Sequence, residues 1–186
     1  KEKNIALNQL EQTINSFIPS SKTDKFITVW KAGLLTSLRT HARNIVGNTI
    51  MQGSEMMSNI PGSFADRLMA LRTGQRTLTP SIQGTFQGAK EGFSQAGDIM
   101  KYGFDPTETI QKFDIKKVNW GDTPTQKAMK AYTDFVFNSL SAEDKPFYQS
   151  SYVRSLYNQA SAEAINAGKS GDAKYIKNLV DNATEQ

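Results

Sequence analysis

One short stretch near the start of the chain gathers most of the side chains that could do chemistry. It reads "LLTSLRTHARNIVGN" and holds His41, the only histidine of the 186 residues, between Arg39 and Arg43. Asn44 and Asn48 follow, and a helix would place both amides on one face. Such a set suits a reactive centre built on the imidazole, a grip for phosphate groups, or a polar junction between helices.

The rest of the chain argues against an enzyme. A hydrolase or transferase needs a nucleophile with a positioned base, or paired carboxylates in a pocket. No acidic residue flanks His41, and the clusters "DPTE" and "SAED" stand where carboxylates favour helix starts. With no cysteine and one histidine, a zinc cluster of these ligands is excluded, and neither a nucleotide-binding glycine loop nor EF-hand spacing occurs. We therefore predict no catalytic, cofactor-binding or metal-binding residues.

Basic residues are concentrated in the first part of the chain. Residues 1–80 carry ten Lys and Arg against five Asp and Glu, while the whole chain has a net charge of +4. Such a face can contact nucleic acid or a membrane surface, or it can simply be solvated. The candidate phosphate contacts are Lys31, Arg39, Arg43, Arg67, Arg72 and Arg76.

The elements that position these residues are expected to be helices. Five capping-box patterns occur, at "SKTD", "SFAD", "DPTE", "TPTQ" and "SAED", and Thr79-Pro80 repeats the cap-then-proline pattern. Apolar residues recur at spacings of three and four, without sustained alternation. This predicts an all-α fold, a multi-helix array of about eight or nine helices with no sheet. The predicted helices lie near residues 3–17, 22–37, 41–58, 64–73, 81–102, 106–113, 124–140, 142–167 and 171–183.

A row of glycines marks one of these helices. Gly84, Gly88 and Gly92 are four residues apart and stack on one face, although each glycine costs about 0.5–1 kcal/mol relative to alanine. Close approach of another backbone would compensate, which predicts close helix packing at this row. Polar residues interrupt the helix too often for a stable transmembrane segment. The alternative is a helix that enters a membrane or channel assembly after a rearrangement.

The chain divides most naturally at the non-periodic link "FDIKKVNWGD". We predict a basic N-terminal helical region with the glycine-spaced helix at 1–113 and a C-terminal helical region at 114–186. They form one continuous unit or a fragment of a longer chain. Hydrophobic residues are only 38% of the chain and it begins without methionine or a signal segment. We therefore expect burial to be completed by other subunits or by other parts of a longer polypeptide.

The stretch around His41 resembles a segment of very large tailed-bacteriophage proteins. The shared pattern is a leucine pair, Thr-His, a basic residue, Asn, an apolar pair and a second Asn. Here its members are Leu34, Leu35, Thr40, His41, Arg43, Asn44, Ile45, Val46 and Asn48. "LRTGQRT", the glycine-spaced helix and residues 141–168 look like later parts of the same family, so the resemblance covers roughly residues 24–168.

This resemblance implies a non-enzymatic structural component of the phage virion, an internal or ejection protein segment. It implies an oligomeric assembly with other virion proteins, a place in the particle and, during assembly, in the cytoplasm. Weak non-specific DNA contact is compatible with it. Two alternatives stay open: a nucleic-acid-binding helical module, and an accessory helical domain of a virion-carried enzyme.

The opening stretch itself is interpreted as a helix junction or a partner contact. Thr40 would cap a new helix, with His41 and Arg43 in its first turn, where cations oppose the helix dipole. Acceptors elsewhere must therefore hold them, either inside the fold or on a phosphate or partner. We predict a mostly buried His41 with a ring nitrogen bonded to a neighbouring helix. Asn44 and Asn48 complete the candidate site.

Overall fold

The structure, a computed structural model, describes residues 1–108 and 118–184. Within these residues it contains six α-helices and no β-strand, which confirms the all-α prediction. The predicted number of eight or nine helices is wrong. The helices are α1 Glu2–Phe17, α2 Lys22–Leu35, α3 Leu38–Thr73, α4 Ile82–Tyr102, α5 Pro124–Asn166 and α6 Ala173–Thr184.

Two pairs of helices that were predicted as separate each form one continuous helix: 41–58 with 64–73 in α3, and 124–140 with 142–167 in α5. Helix α3 runs through Pro61 and α5 runs through Pro146, although proline removes one backbone hydrogen bond inside a helix. The predicted starts at "SFAD" and "SAED" are therefore wrong. In the first motif the predicted cap residue Asp66 instead accepts from Thr77, in the segment that follows the helix. In the second motif Glu143, the residue before the predicted cap residue Asp144, pairs with His41.

Two predicted capping boxes are confirmed. At the start of α2, the Asp24 amide donates to Ser21 Oγ at 3.1 Å and the Ser21 amide donates to the Asp24 carboxylate at 3.2 Å. At the start of α5, the Thr123 amide donates to Gln126 Oε1 at 3.2 Å and the Gln126 amide returns a 3.4 Å bond to Thr123 Oγ1. Each pair satisfies an orphan amide of the first turn, so these starts follow from local chemistry.

Another start differs from prediction. Helix α3 begins at Leu38 because Ser37 Oγ accepts from the Thr40 amide at 3.2 Å, so the prediction that Thr40 is the cap is wrong. Helix α4 begins at Ile82, within one residue of the predicted start. Its start is held by a distant residue, because Asn158 on α5 accepts from the Ser81 amide at 2.7 Å. A tertiary bond of this kind leaves no local signature.

The segment after α4 is only partly described. Asp105 accepts from the amide and hydroxyl of Thr107 at 2.9 and 2.6 Å, so residues 105–108 form a turn where a helix at 106–113 was predicted. The remainder of that helix lies outside the described residues. The boundary predicted between 113 and 114 lies outside them too and stays a prediction.

The chain forms two compact units, each with its own core. The first comprises Lys1–Val46 and Phe93–Lys145, and the second comprises Gly47–Gly92 and Pro146–Gln186. Helices α3, α4 and α5 contribute residues to both units. The core of the first unit contains Ala32, Val136, Phe137 and Leu140, with Leu35 packed against it. The core of the second contains Val153, Tyr157, Ala160 and Val180, with Leu156, Ile176 and Leu179 packed against it.

Candidate interaction surface

His41 lies in the first turns of α3 and is paired with an acid. Its Nδ1 is hydrogen-bonded to Glu143 Oε1 on α5, in the first unit. The two side chains are 21% and 23% exposed, so about four-fifths of each is buried. The carboxylate fixes the orientation of the imidazole and joins two helices. Sequence reasoning missed Glu143, because its motif looked like a helix start.

The neighbours of His41 on α3 differ in how far they are exposed. Thr40 is half-buried and its hydroxyl lies 3.0 Å from Ser37 Oγ. Asn44 and Asn48 are also half-buried, while Arg43 is exposed. Within residues 1–108 and 118–184, no group of three or more His, Cys, Asp or Glu residues could hold a metal ion. The predicted junction and partner-contact roles of these residues stay predictions.

Removing the His41 ring should destabilise the protein. His41→Ala leaves Glu143, whose Oε2 is already buried without a partner, and should lower the free energy of unfolding by about 1–3 kcal/mol. His41→Gln keeps a donor and should cost less. Urea denaturation at neutral pH measures both, with Arg39→Ala, an exposed change on the same helix, as the control. Equal losses for His41→Ala and Arg39→Ala would contradict the junction.

The glycine row lies against α5 in the second unit. A Cβ atom on Gly84 would lie 2.8 Å from Arg154 Cα, and one on Gly88 would lie 2.7 Å from Ser150 Cα. Ser150 Oγ also donates to the Thr85 carbonyl across this crossing at 3.1 Å. The third glycine of the row, Gly92, is buried. Of the helices in the described ranges, none combines the length and apolar character that crossing a bilayer requires.

A buried lysine in the first unit holds two carboxylates. Lys145 Nζ forms ion pairs with Asp105 and, at 2.6 Å, with Glu108. Burial alone would lower the pKa of Lys145, but the hydrogen bonds with the two carboxylates outweigh it and the pKa is raised. The sequence motif "DPTE" was predicted to open a helix, whereas the structure uses its two acids to neutralise this lysine.

One of the candidate phosphate contacts is occupied by the chain itself. Arg76 Nε donates to Asp66 Oδ2 at 3.1 Å, and the Thr77 amide and hydroxyl donate to the other oxygen at 2.8 and 2.6 Å. The bonds from Thr77, followed by that from Arg76, hold the pKa of Asp66 at about 2. This carboxylate ties the end of α3 to the segment that follows it.

The Asp66 cluster predicts a loss of stability in acid. Its pKa is lower in the folded than in the unfolded chain, so the unfolded chain takes up the proton first. The stabilisation is fully present above the unfolded pKa of about 4 and should be lost as the pH falls towards 2. Thermal melts between neutral pH and pH 2 should show a shallower acid dependence for Asp66→Asn than for the wild type. Parallel curves would contradict this.

The other candidate phosphate contacts are solvent-facing. Lys31, Arg39 and Arg43 in the first unit and Arg67 and Arg72 in the second are exposed. Among the described residues, none of the five has an ion-pair partner. They are therefore accessible to an anion. None of the five is held by a carboxylate of the described residues in the way that Asp66 holds Arg76.

The dominant feature of the surface is the exposed apolar side of α3, whose polar side contacts the rest of the chain. In the second unit, α3 directs Gln52 and Asp66 inward and Glu55, whose side chain is 48% exposed, towards α5. Gln52 Nε2 donates to the Phe147 carbonyl at 2.9 Å, and Glu55 forms an ion pair with the buried Arg154. The opposite side, which we call the α3 stripe, is apolar and 55–86% exposed. It comprises Ile50, Met57, Ile60, Phe64, Leu68 and Leu71.

In the first unit, α1 shows the same inversion, and α2 also carries exposed apolar residues although Ala32 and Leu35 face the core. On α1, Asn8 is buried, and Asn4 donates to the Pro106 carbonyl at 3.4 Å. On α2, Thr28 and Ala32 face inward. Most of the large apolar residues of these helices are nevertheless exposed: Leu7, Leu10, Ile14 and Phe17 on α1, and Phe26, Trp30 and Leu34 on α2. The three-and-four spacing correctly indicated helices, but it did not indicate which side of each helix meets the core.

Large exposed apolar stripes are rare on proteins that act alone, and they mark surfaces that meet a partner. The candidate functional site is therefore an interaction surface. Comparison of the chain with family models, with curated proteins and with solved structures gives no match.

Proposed function

We propose that this chain is a non-enzymatic structural module of a tailed-phage virion, an internal or ejection protein segment that packs against other virion subunits. The observation that carries the packing role is the inverted polarity of α1 and α3. Their polar sides are bonded within the chain, and their apolar sides are left for a partner. The virion setting rests on the resemblance of the His41 stretch and of the later segments.

The inverted polarity supports assembly because apolar surface is costly in water. Burying such surface yields roughly 25 cal/mol per Å², so each outward stripe provides a driving force for association. The polar atoms behind the stripes are already bonded: the carboxylates of Glu55 and Asp66 have partners in the chain. Rotating α3 to bury its stripe internally would break these bonds. The surface is thus better matched to an external partner than to a rearranged monomer.

The experiment is to locate the protein in the particle. Phage particles are purified through a density gradient, and the chain is quantified by mass spectrometry in intact particles, in particles after DNA release, and in the lysate. We expect a fixed number of copies per intact particle and a loss of copies after DNA release. A protein abundant in the lysate and absent from gradient-purified particles would overturn the proposal.

A pair of variants links that location to the surface. Leu10→Glu places a charge on the outward stripe of α1, and Gln12→Glu adds the same charge to the same helix away from the stripe. Incorporation into particles should fall at least about tenfold for Leu10→Glu, since a charge in an apolar contact is disfavoured by more than about 1.4 kcal/mol. It should stay near the wild-type level for Gln12→Glu.

A nucleic-acid-binding module is the second candidate, favoured by the exposed arginines Arg39, Arg43, Arg67 and Arg72. Filter binding of the chain to duplex DNA at increasing salt separates the two. The proposed structural role allows weak, sequence-independent binding whose log–log salt slope is about −0.9 per phosphate contacted. Sequence-specific binding at physiological salt would favour the second candidate. Recovery of the full reading frame tests whether an enzyme domain accompanies the chain.

A further inference from the structure

Four of the six residues of the α3 stripe have a spacing that is the same in both directions along the helix. About the midpoint between Ile60 and Pro61, the position of Ile50 mirrors that of Leu71, and the position of Met57 mirrors that of Phe64. Ile50, Met57, Phe64 and Leu71 are also seven residues apart, which is the repeat of a two-helix seam. A two-fold interface requires a self-complementary surface, and this arrangement supplies one for antiparallel packing.

A glycine within the stripe fits the same geometry. Gly53 lies on the stripe face of α3, is exposed, and would have nothing within 4 Å of a Cβ atom. The fold of the chain therefore gives no packing reason for a residue that costs about 0.5–1 kcal/mol in a helix. Its mirror position holds Leu68. Antiparallel pairing of two α3 helices places a leucine side chain over a position that has none.

The charges beside the stripe also select the antiparallel direction. Arg67 and Arg72 are exposed and have no ion-pair partner among the described residues. Parallel pairing would place each arginine at the same level as its own copy, which brings like charges together and is unfavourable. Antiparallel pairing about the same midpoint places Arg67 at the level of Ser54 and Arg72 at the level of Thr49, so each arginine lies about 20 Å or more from its own copy along the helices. No like charges then face each other.

The stripe is large enough for a stable pair. Its six side chains are 55–86% exposed. Taking about 200 Å² for a large apolar residue, they expose on the order of 800 Å², close to the roughly 800 Å² that each partner buries in a standard interface.

We propose that two copies of this chain pack through their α3 stripes as an antiparallel pair about a two-fold axis between Ile60 and Pro61. This deepens the proposed function by naming the partner of one surface, and it rests on that function.

Sedimentation equilibrium of the 186-residue chain tests the pairing, from about 1 µM to about 1 mM so that weak dimers are seen. We expect a monomer–dimer equilibrium. Phe64→Glu, at a 64% exposed position of the stripe, should weaken the dimer affinity at least about 100-fold.

Met69→Glu is the control, because Met69 is similarly exposed at 67% but lies on another face of α3. It should change the dimer affinity less than about threefold. Circular dichroism checks that both variants stay helical.

Single cysteines test the direction of the pair, since the natural chain has none. Ile60→Cys lies next to the axis and should form a disulfide between copies under mild oxidation. Leu71→Cys should not, because its two copies would be about 32 Å apart along the helices. A mixture of Met57→Cys and Phe64→Cys should link faster than either alone. Equally fast linking of Leu71→Cys and Ile60→Cys would show parallel helices and overturn the antiparallel pair.

The remaining outcomes also decide the matter. A dimer unaffected by Phe64→Glu, or a monomer throughout the concentration range, would overturn the inference. A monomer that co-sediments with phosphatidylserine vesicles but not with phosphatidylcholine vesicles, in a Phe64-dependent manner, would assign the stripe to a lipid surface instead. A monomeric chain that is nevertheless present in purified particles would leave the proposed function standing and remove only the pairing.

Discussion

Gly88→Leu is expected to lower the free energy of unfolding by about 3 kcal/mol or more. The glycine faces the backbone of α5, and even a Cβ atom would lie 2.7 Å from Ser150 Cα and 2.9 Å from the Gln149 carbonyl carbon. Backbone atoms within a helix cannot move aside as a side-chain end can, so the two helices must separate. Gly88→Ala should also destabilise, because the clash outweighs its gain of about 1 kcal/mol in helix propensity.

The same helix provides a matched control. Gly97 is exposed and has nothing within 4 Å of a Cβ position, so Gly97→Ala should raise the stability by up to about 1 kcal/mol. Chemical denaturation of the three variants against the wild type measures the differences. If Gly88→Leu kept the wild-type stability, α4 and α5 would not cross closely at that glycine.

Lys145→Met is expected to lower the free energy of unfolding by about 3–5 kcal/mol. The side chains of Lys145 and Asp105 are only 8% and 5% exposed, so methionine leaves a buried carboxylate without its cation. The loss arises because one partner of a buried ion pair is removed while the other stays charged; it does not measure how much the intact pair contributes to stability. Adding Asp105→Asn to the variant should therefore recover part of the loss, since the amide removes the uncompensated charge.

An exposed pair on the same helix controls for the loss of a lysine. Lys130 and Asp134 form an ion pair with side chains that are 59% and 50% exposed, where water screens the charges. Lys130→Met should cost no more than about 0.5 kcal/mol in the same denaturation experiment. Similar losses for Lys130→Met and Lys145→Met would show that burial of the Lys145 group contributes nothing.

The sequence predicted the features that depend on neighbouring residues. Helix type followed from apolar spacing, and the boxes at Ser21 and Thr123 followed from side chains that reach only three residues. The same patterns failed at Ser63 and Ser141, where Asp66 binds Thr77, 11 residues away, and Glu143 beside the predicted cap residue pairs with His41, 102 residues away. A cap and a tertiary ligand need the same residue types, so the local pattern cannot separate them.

The interaction surface was less predictable than the helices. Low apolar content suggested that burial is completed by a partner, but a spacing of three and four does not tell which side of a helix faces its own chain. On α3 the orientation of the helix is set by Gln52 and Glu55, which bond to Phe147 and Arg154 and so direct the polar side towards the chain. These partners are about a hundred residues away in sequence, and only the fold brings them together.

The outward stripes give the chain a distinctive heat capacity. Unfolding normally raises the heat capacity by about 12–15 cal/mol/K per residue, chiefly because buried apolar surface meets water. The stripes of α1, α2 and α3 already meet water in the folded chain, so its unfolding should show a smaller increment. When a partner covers the stripes, their burial should give a negative heat-capacity change of association. Warming should therefore make association increasingly exothermic.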